Sequence, residues 1–130
     1  MSAEQTLFEK YREWRRLTVA AGRAIQRRNW DFLGECQELI QKLQSQVTQL
    51  TREARDEWAK SGTDLAAKEA ELRVVVSGLI ELGRRNQERL QAARQAAQAE
   101  RGRLERAGQN LRLLQQSYAF ARPAGWTSFS

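Results

Sequence analysis

The side chains able to do chemistry are unevenly supplied in this 130-residue chain. Arginine dominates: 18 of the 22 bases are Arg, the lysines being Lys10, Lys42, Lys60 and Lys68. Histidine is absent, and Cys36 is the sole cysteine. Without His, the triad hydrolases lack their proton carrier, and the usual neutral-pH acid/base and commonest metal ligand are missing. One cysteine makes neither an internal disulfide nor a cysteine-rich zinc site. Carboxylates recur at helical spacing, as in Glu53 with Asp56 and Glu57, but no pocket chemistry accompanies them, so they read as solvated charges. Cys36 lies on an apolar seam and reads as a buried structural thiol. The chain is therefore expected to be non-enzymatic, with no catalytic residue, metal or cofactor.

The arginines raise a different chemistry, that of anion binding. The net charge is +6, which favours nucleic-acid or acidic-protein partners in general. The excess is local. Residues 12–28 hold six Arg and one acid, residues 84–112 hold eight Arg and three acids, and residues 31–60 hold six acids against four bases. Arg12, Arg16, Arg23 and Arg27 share one helical stripe, either a solvated face or a face for phosphate or carboxylate. No base-reading motif or aromatic stacking platform accompanies these bases, so nucleic acid is not expected as the partner.

Three breaks set the elements that must position these groups. Asn29 is a good N-cap with Asp31 in the turn behind it. Gly62 is a helix stop, with Thr63 or Ser61 as the next N-cap. After Ala121-Arg122-Pro123-Ala124-Gly125 nothing is periodic. The spacing predicts an all-α protein with helices over about 4–28, 30–60 and 64–119 in a single helical domain, 1–119, and an aromatic tail, 120–130.

Apolar residues recur in alternating steps of three and four. The first helix carries Leu7, Tyr11, Trp14, Thr18, Ala21 and Ile25. The second carries Leu33, Cys36, Ile40, Leu43, Val47, Leu50 and Ala54. The third keeps a coiled-coil seam from Leu72 to Tyr118, interrupted at Asn86 and Glu100. Glu38–Lys42, Asp56–Lys60, Glu69–Arg73 and Glu81–Arg85 are spaced for i,i+4 ion pairs.

Two packings fit these lengths: a long hairpin with the first two helices collinear along the third, or an antiparallel three-helix bundle with a long third helix. Val74 and Ile80 point away from the third helix's seam, which implies several neighbours there and favours the bundle, with the far half of that helix projecting as an arm. Gly78, Gly83, Gly102 and Gly108 lie inside the helix and are expected to permit close helix approach or bending.

In the bundle, Leu104, Leu111 and Leu114 extend the seam beyond the reach of the second helix, and an uncovered apolar stripe marks a partner. A groove between helices together with such an arm suits an amphipathic helix. The stripe also suits a second copy of the chain, giving a homodimer.

Tyr11-Arg12-Glu13-Trp14, Ala24-Ile25-Gln26-Arg27-Arg28-Asn29-Trp30-Asp31-Phe32-Leu33, Gln37-Glu38-Leu39-Ile40 and the third-helix run Leu79 to Leu90 together resemble flagellar export chaperones of the FlgN/FliT type. The tail after Tyr118, with Pro123 and Gly125, is similar to the end of those proteins. The resemblance implies a cytoplasmic chaperone for type III flagellar export. Such a protein binds the amphipathic terminal helices of secreted hook-associated or filament-cap clients, prevents premature assembly, and delivers them to the export gate. The helical spacing of Leu104, Leu111 and Leu114 makes them the expected client-binding residues, and the resemblance implies Tyr118 and the aromatic tail, Phe120, Trp126 and Phe129, as docking residues for the export gate protein. The start, Met1-Ser2-Ala3-Glu4-Gln5, lacks the basic and apolar regions of a signal peptide. No apolar run approaches the roughly 18 residues of a membrane span, so a cytoplasmic location without a membrane span is expected. The alternatives are a structural coiled-coil dimerisation protein and a basic helical nucleic-acid-binding protein.

Overall fold

The computed structural model describes residues 2–121, with side chains as far as Tyr118. Among these residues there are three helices and no strand: α1 (Ala3–Arg27), α2 (Trp30–Ser61) and α3 (Leu65–Ala121). The fold is all-α, as the apolar periodicity predicts. The chain forms two compact units, Met1–Gln91 and Ala92–Ser130.

Local chemistry fixes the helix ends. Ser2 caps α1 with a reciprocal capping box: its Oγ accepts from Gln5 N at 3.1 Å, and its N–H donates to Gln5 Oε1 at 3.4 Å. A second carboxylate reaches this end from α2, where Glu57 Oε1 accepts from Ala3 N at 3.0 Å. One of the acids expected to be merely solvated thus satisfies a helix N-terminus. At the other end of α1, Arg28 takes a left-handed conformation, φ 56°. Its N–H donates to Ile25 O, and the Asn29 N–H donates to Ala24 O, the Schellman closure of a helix. Asn29 then opens α2 by accepting from Phe32 N at 3.2 Å. Two residues thus close one helix and start the next. Gly62, φ 68°, ends α2, and Asp64, rather than Thr63 or Ser61, caps α3: its Oδ1 accepts from Ala67 N at 3.3 Å.

Within Met1–Gln91 the helices run up, down and up. Leu7 and Tyr11 near the start of α1 pack with Val47, Ala54 and Trp58 toward the end of α2, joined by Leu72 of α3. Ala21, Ala24 and Ile25 at the far end of α1 pack with Leu33 and Cys36 at the start of α2, with Leu90 beside them. This antiparallel pairing is the bundle, not the collinear hairpin. The α3 segment runs parallel to α1. Lys68 Nζ bonds Glu4 Oε1 at 2.5 Å, and further along Asn86 Nδ2 donates to Thr18 O at 2.8 Å. Burying a side chain as completely as Leu7 contributes about 1.5–3 kcal/mol.

Three expectations are corrected here. Val74 and Ile80, taken to imply several covering neighbours, are 74% and 67% exposed. The bundle is held instead by the other face of α3, through Leu72, Val75, Val76 and Leu79. The α3 glycines do not mediate close helix approach: an added Cβ would meet nothing within 4 Å at Gly78, Gly83 or Gly108, and only Arg106 Nη1, at 3.6 Å, at Gly102. The close approach is at Gly22 of α1, where a Cβ would stand 2.7 Å from Asn86 Oδ1 and 2.9 Å from Arg89 Nη1. Finally, Glu69 pairs with Arg55 of α2 at 2.7 Å rather than with Arg73. Of the four expected i,i+4 pairs, Glu81–Arg85 closes, at 3.3 Å. A cross-helix bidentate contact offers Glu69 better geometry than a flexible same-helix neighbour.

Candidate binding groove

Side chains of all three helices in Met1–Gln91 enclose an open groove of about 950 Å³. Helix α1 contributes Tyr11, Trp14, Thr18, Ala21 and Ile25, so the groove follows α1 for roughly 21 Å, or four turns. The Tyr11 and Trp14 rings lie stacked at the near end, centroids 6.1 Å apart and 17° from parallel. Helix α3 contributes Val76, Leu79, Gly83, Asn86 and Leu90 among others. At Gly83 the missing side chain leaves the groove open, since a Cβ there would meet no atom within 4 Å.

The α2 wall decides the groove's chemistry. Ile40 and Val47 face it, together with the amides of Gln37, Gln41 and Gln44 and the hydroxyl of Thr48. The spacing of those four polar residues, i, i+4, i+7 and i+11, puts them on one helical face. In a chain with 29% charged residues, no residue lining the groove is charged. An occupant would meet apolar contact and neutral hydrogen-bonding groups. This uncharged polar stripe is visible in the α2 sequence, but only its juxtaposition with α1 and α3 makes it a wall.

The residues expected to bind a client lie in the second unit, Ala92–Ser130, on helix α3. Leu104, Leu111 and Leu114 are 65%, 55% and 67% exposed. Seven residues separate the first two, so they stand about 10 Å apart along one face of the helix, and Leu114 flanks that face. Leu113, also exposed, falls on the opposite side and belongs to no heptad. Tyr118 is partly exposed on the same side as Leu111. The Phe120 side chain, Trp126 and Phe129 lie outside the described residues.

Two core titratable groups, Cys36 and Tyr11, are shifted by burial. Cys36 is 1% exposed. Burial, and then the neighbouring Glu35 carboxylate, push its thiol up from the usual range, which keeps it protonated and a poor nucleophile. Burial likewise raises the Tyr11 phenol, against the lowering effects of Thr51 and Arg55. Among the described residues, no group of three or more His, Cys, Asp or Glu is placed to hold a metal ion. No helix among them is long and apolar enough to cross a membrane. Arg12, Arg16, Arg23 and Arg27 are all exposed, and Arg16 pairs with Glu13 at 2.6 Å.

No family model, curated protein or solved structure matches this chain.

Proposed function

We propose that the chain is a helix-masking chaperone of the flagellar export kind: a cytoplasmic, non-enzymatic protein that holds the amphipathic terminal helix of a secreted client and passes it to an export gate. The observation carrying this reading is the stripe of Leu104, Leu111 and Leu114, each more than half exposed at helical spacing. Covering such a stripe contributes about 25 cal/mol per Å² of apolar area, partly offset by association and ordering costs. The groove of the first unit offers a second seat that is also uncharged, though partly polar.

The test is calorimetric titration of the full chain with synthetic peptides spanning the terminal helices of hook-associated and filament-cap proteins. Binding is expected to change little between low and physiological salt, because the surfaces offered are apolar. Leu111→Asp with Leu114→Asp should abolish it. Removing residues 120–130, which carry Phe120, Trp126 and Phe129, should leave client affinity intact and impair only transfer to the gate protein. Steep salt dependence, or tight binding to duplex or single-stranded nucleic acid lost on changing Arg12, Arg16, Arg23 and Arg27 to Ala, would overturn the reading.

The same stripe supports a second reading, a coiled-coil homodimer in which Leu104 and Leu111 pair with their counterparts. Sedimentation over a wide concentration range separates the two: the dimer reading requires mass action without any client.

A further inference from the structure

A second indentation, of about 400 Å³, lies between α1 and α3. Tyr11 and Leu79 line both it and the groove. Its remaining walls differ in kind: Phe8 and the aliphatic side chains of Val74 and Val75 on one hand, and the guanidinium-bearing Arg12 and Arg15 on the other.

Three features of this notch are not accounted for by packing or ion pairing within the folded chain. The first is Val74, more exposed at 74% than any other large apolar side chain among the described residues. A β-branched residue is a poor helix former, and packing against the core repays this for Val75 and Val76 but not for Val74. The second is Gly78 at the notch wall, where a Cβ would meet nothing within 4 Å. No neighbour demands a glycine, and its effect is to leave the space open. The third is the pair of cations. No described carboxylate pairs with Arg12 or Arg15; Arg23 and Arg27 share that, but of the four only Arg12 and Arg15 line the notch. The two stand one turn apart, beside an apolar hole.

We propose that the α1/α3 notch formed by Phe8, Val74, Gly78, Arg12 and Arg15 is a docking site for an acidic segment of a partner protein, one that inserts a large apolar side chain beside flanking carboxylates. Charge complementarity selects the partner. The two guanidiniums lack carboxylates and can take them as forked, charge-assisted hydrogen bonds. The apolar hole provides the anchor pocket that hot-spot side chains fill. Phosphate alone would leave Val74 and Phe8 uncovered, and a purely apolar helix would leave both cations without counter-charge. The site is distinct from the uncharged groove and from the Leu104–Leu114 stripe, and does not depend on the client reading.

The experiment is fluorescence anisotropy on the full chain with a labelled peptide, Gly-Glu-Asp-Phe-Glu-Asp-Gly, and its counterpart with Ser for Phe. Binding of the Phe peptide is expected, at least about tenfold tighter than the Ser peptide. Arg12→Glu with Arg15→Glu should weaken it by about tenfold or more, whereas Arg23→Glu with Arg27→Glu, on the same helix and also exposed, should change it by less than about twofold. Gly78→Leu fills the hole and should block binding; because both arginines are solvent-facing, the Arg variants keep the test decisive if that change also perturbs folding. Equal affinity for the two peptides, or equal loss in the two Arg pairs, means diffuse attraction to a basic surface and overturns the proposal. So does full competition by a short oligonucleotide or by anionic lipid vesicles, or no Phe-peptide binding at about 1 mM in low salt.

Discussion

Asn86 of α3 donates an Nδ2 hydrogen to the main-chain oxygen of Thr18 on α1, 2.8 Å away, while its side-chain oxygen, Oδ1, occupies the space a Cβ on Gly22 would need. A polar residue in an apolar seam thus has both ends accounted for, one by a hydrogen bond and one by a neighbour without a side chain. The pair fixes the register of α3 along α1, as single polar residues do in coiled coils.

That arrangement predicts non-additivity. Gly22→Ala alone should destabilise, because Asn86 must leave its bond to make room. In an Asn86→Ala background the same change should stabilise by up to about 1 kcal/mol, the helix-propensity difference. Urea melts of the four-membered cycle measure the coupling, expected to be about 1 kcal/mol or more. Additive effects would show that the close approach has no energetic weight.

Leu7→Ala should cost about 2–5 kcal/mol, because this completely buried residue joins all three helices. Leu111→Asp with Leu114→Asp should cost only about 1 kcal/mol, the helix-propensity difference between the residues. Thermal melts of the two variants, side by side, check the contrast.

Cys36 should resist modification. Its thiol is buried and held protonated, so a disulfide reagent should label the native chain far more slowly than the urea-unfolded chain. Labelling at the rate of a free thiol would mean that the start of α2 opens readily.

Glu81 should titrate low. The hydrogen bond from Arg84, with Arg85 beside it, holds its carboxyl down to about 2 from the usual 4.5. A depressed folded-state value means that its contribution is present above the unfolded carboxylate range and is lost as pH falls from about 4.5 toward about 2. An NMR titration should find the low midpoint, and Arg84→Ala should raise it. In Glu81→Gln that part of the acid sensitivity should vanish. An ordinary midpoint in the native chain would contradict the pairing.

Arg28 closes α1 in a left-handed conformation that favours glycine. Arg28→Gly should therefore be neutral or stabilising, by no more than about 1 kcal/mol. A loss of stability on melting would show that the arginine side chain contributes something beyond the turn.

The features legible in the sequence are those set by near neighbours. The Asn29 cap, the Gly62 stop and the apolar steps of α1 and α2 all operate within a few residues, and they give the helices and most of the buried seam. Leu17 and Ala24 are buried too, although the single α1 stripe omits them: α1 packs against two helices, and one stripe describes only one contact. Trp58 lies one turn beyond Ala54, where the α2 seam read from the sequence stops, and is buried with its indole nitrogen unpartnered among the described residues. The groove is half legible, through the spacing of Gln37, Gln41 and Gln44. The Gly22–Asn86 contact and the notch between Arg12, Arg15 and Val74 pair residues about 60 positions apart. Neither partner is unusual alone, and periodicity within one helix carries no record of the other.

The short links between helices have a kinetic consequence. Arg28 and Asn29 join α1 to α2, and Gly62 to Asp64 join α2 to α3. Loop closure therefore costs little, and the α1–α2 hairpin can zip from its turn outward before α3 is available. Helical topologies of this kind fold in microseconds to milliseconds. On the ribosome the hairpin would emerge first, with its α3-facing surface bare until the third helix follows. The order of synthesis thus matches the order of assembly, and the interval during which apolar surface stands open is set by translation rather than by any search among distant contacts.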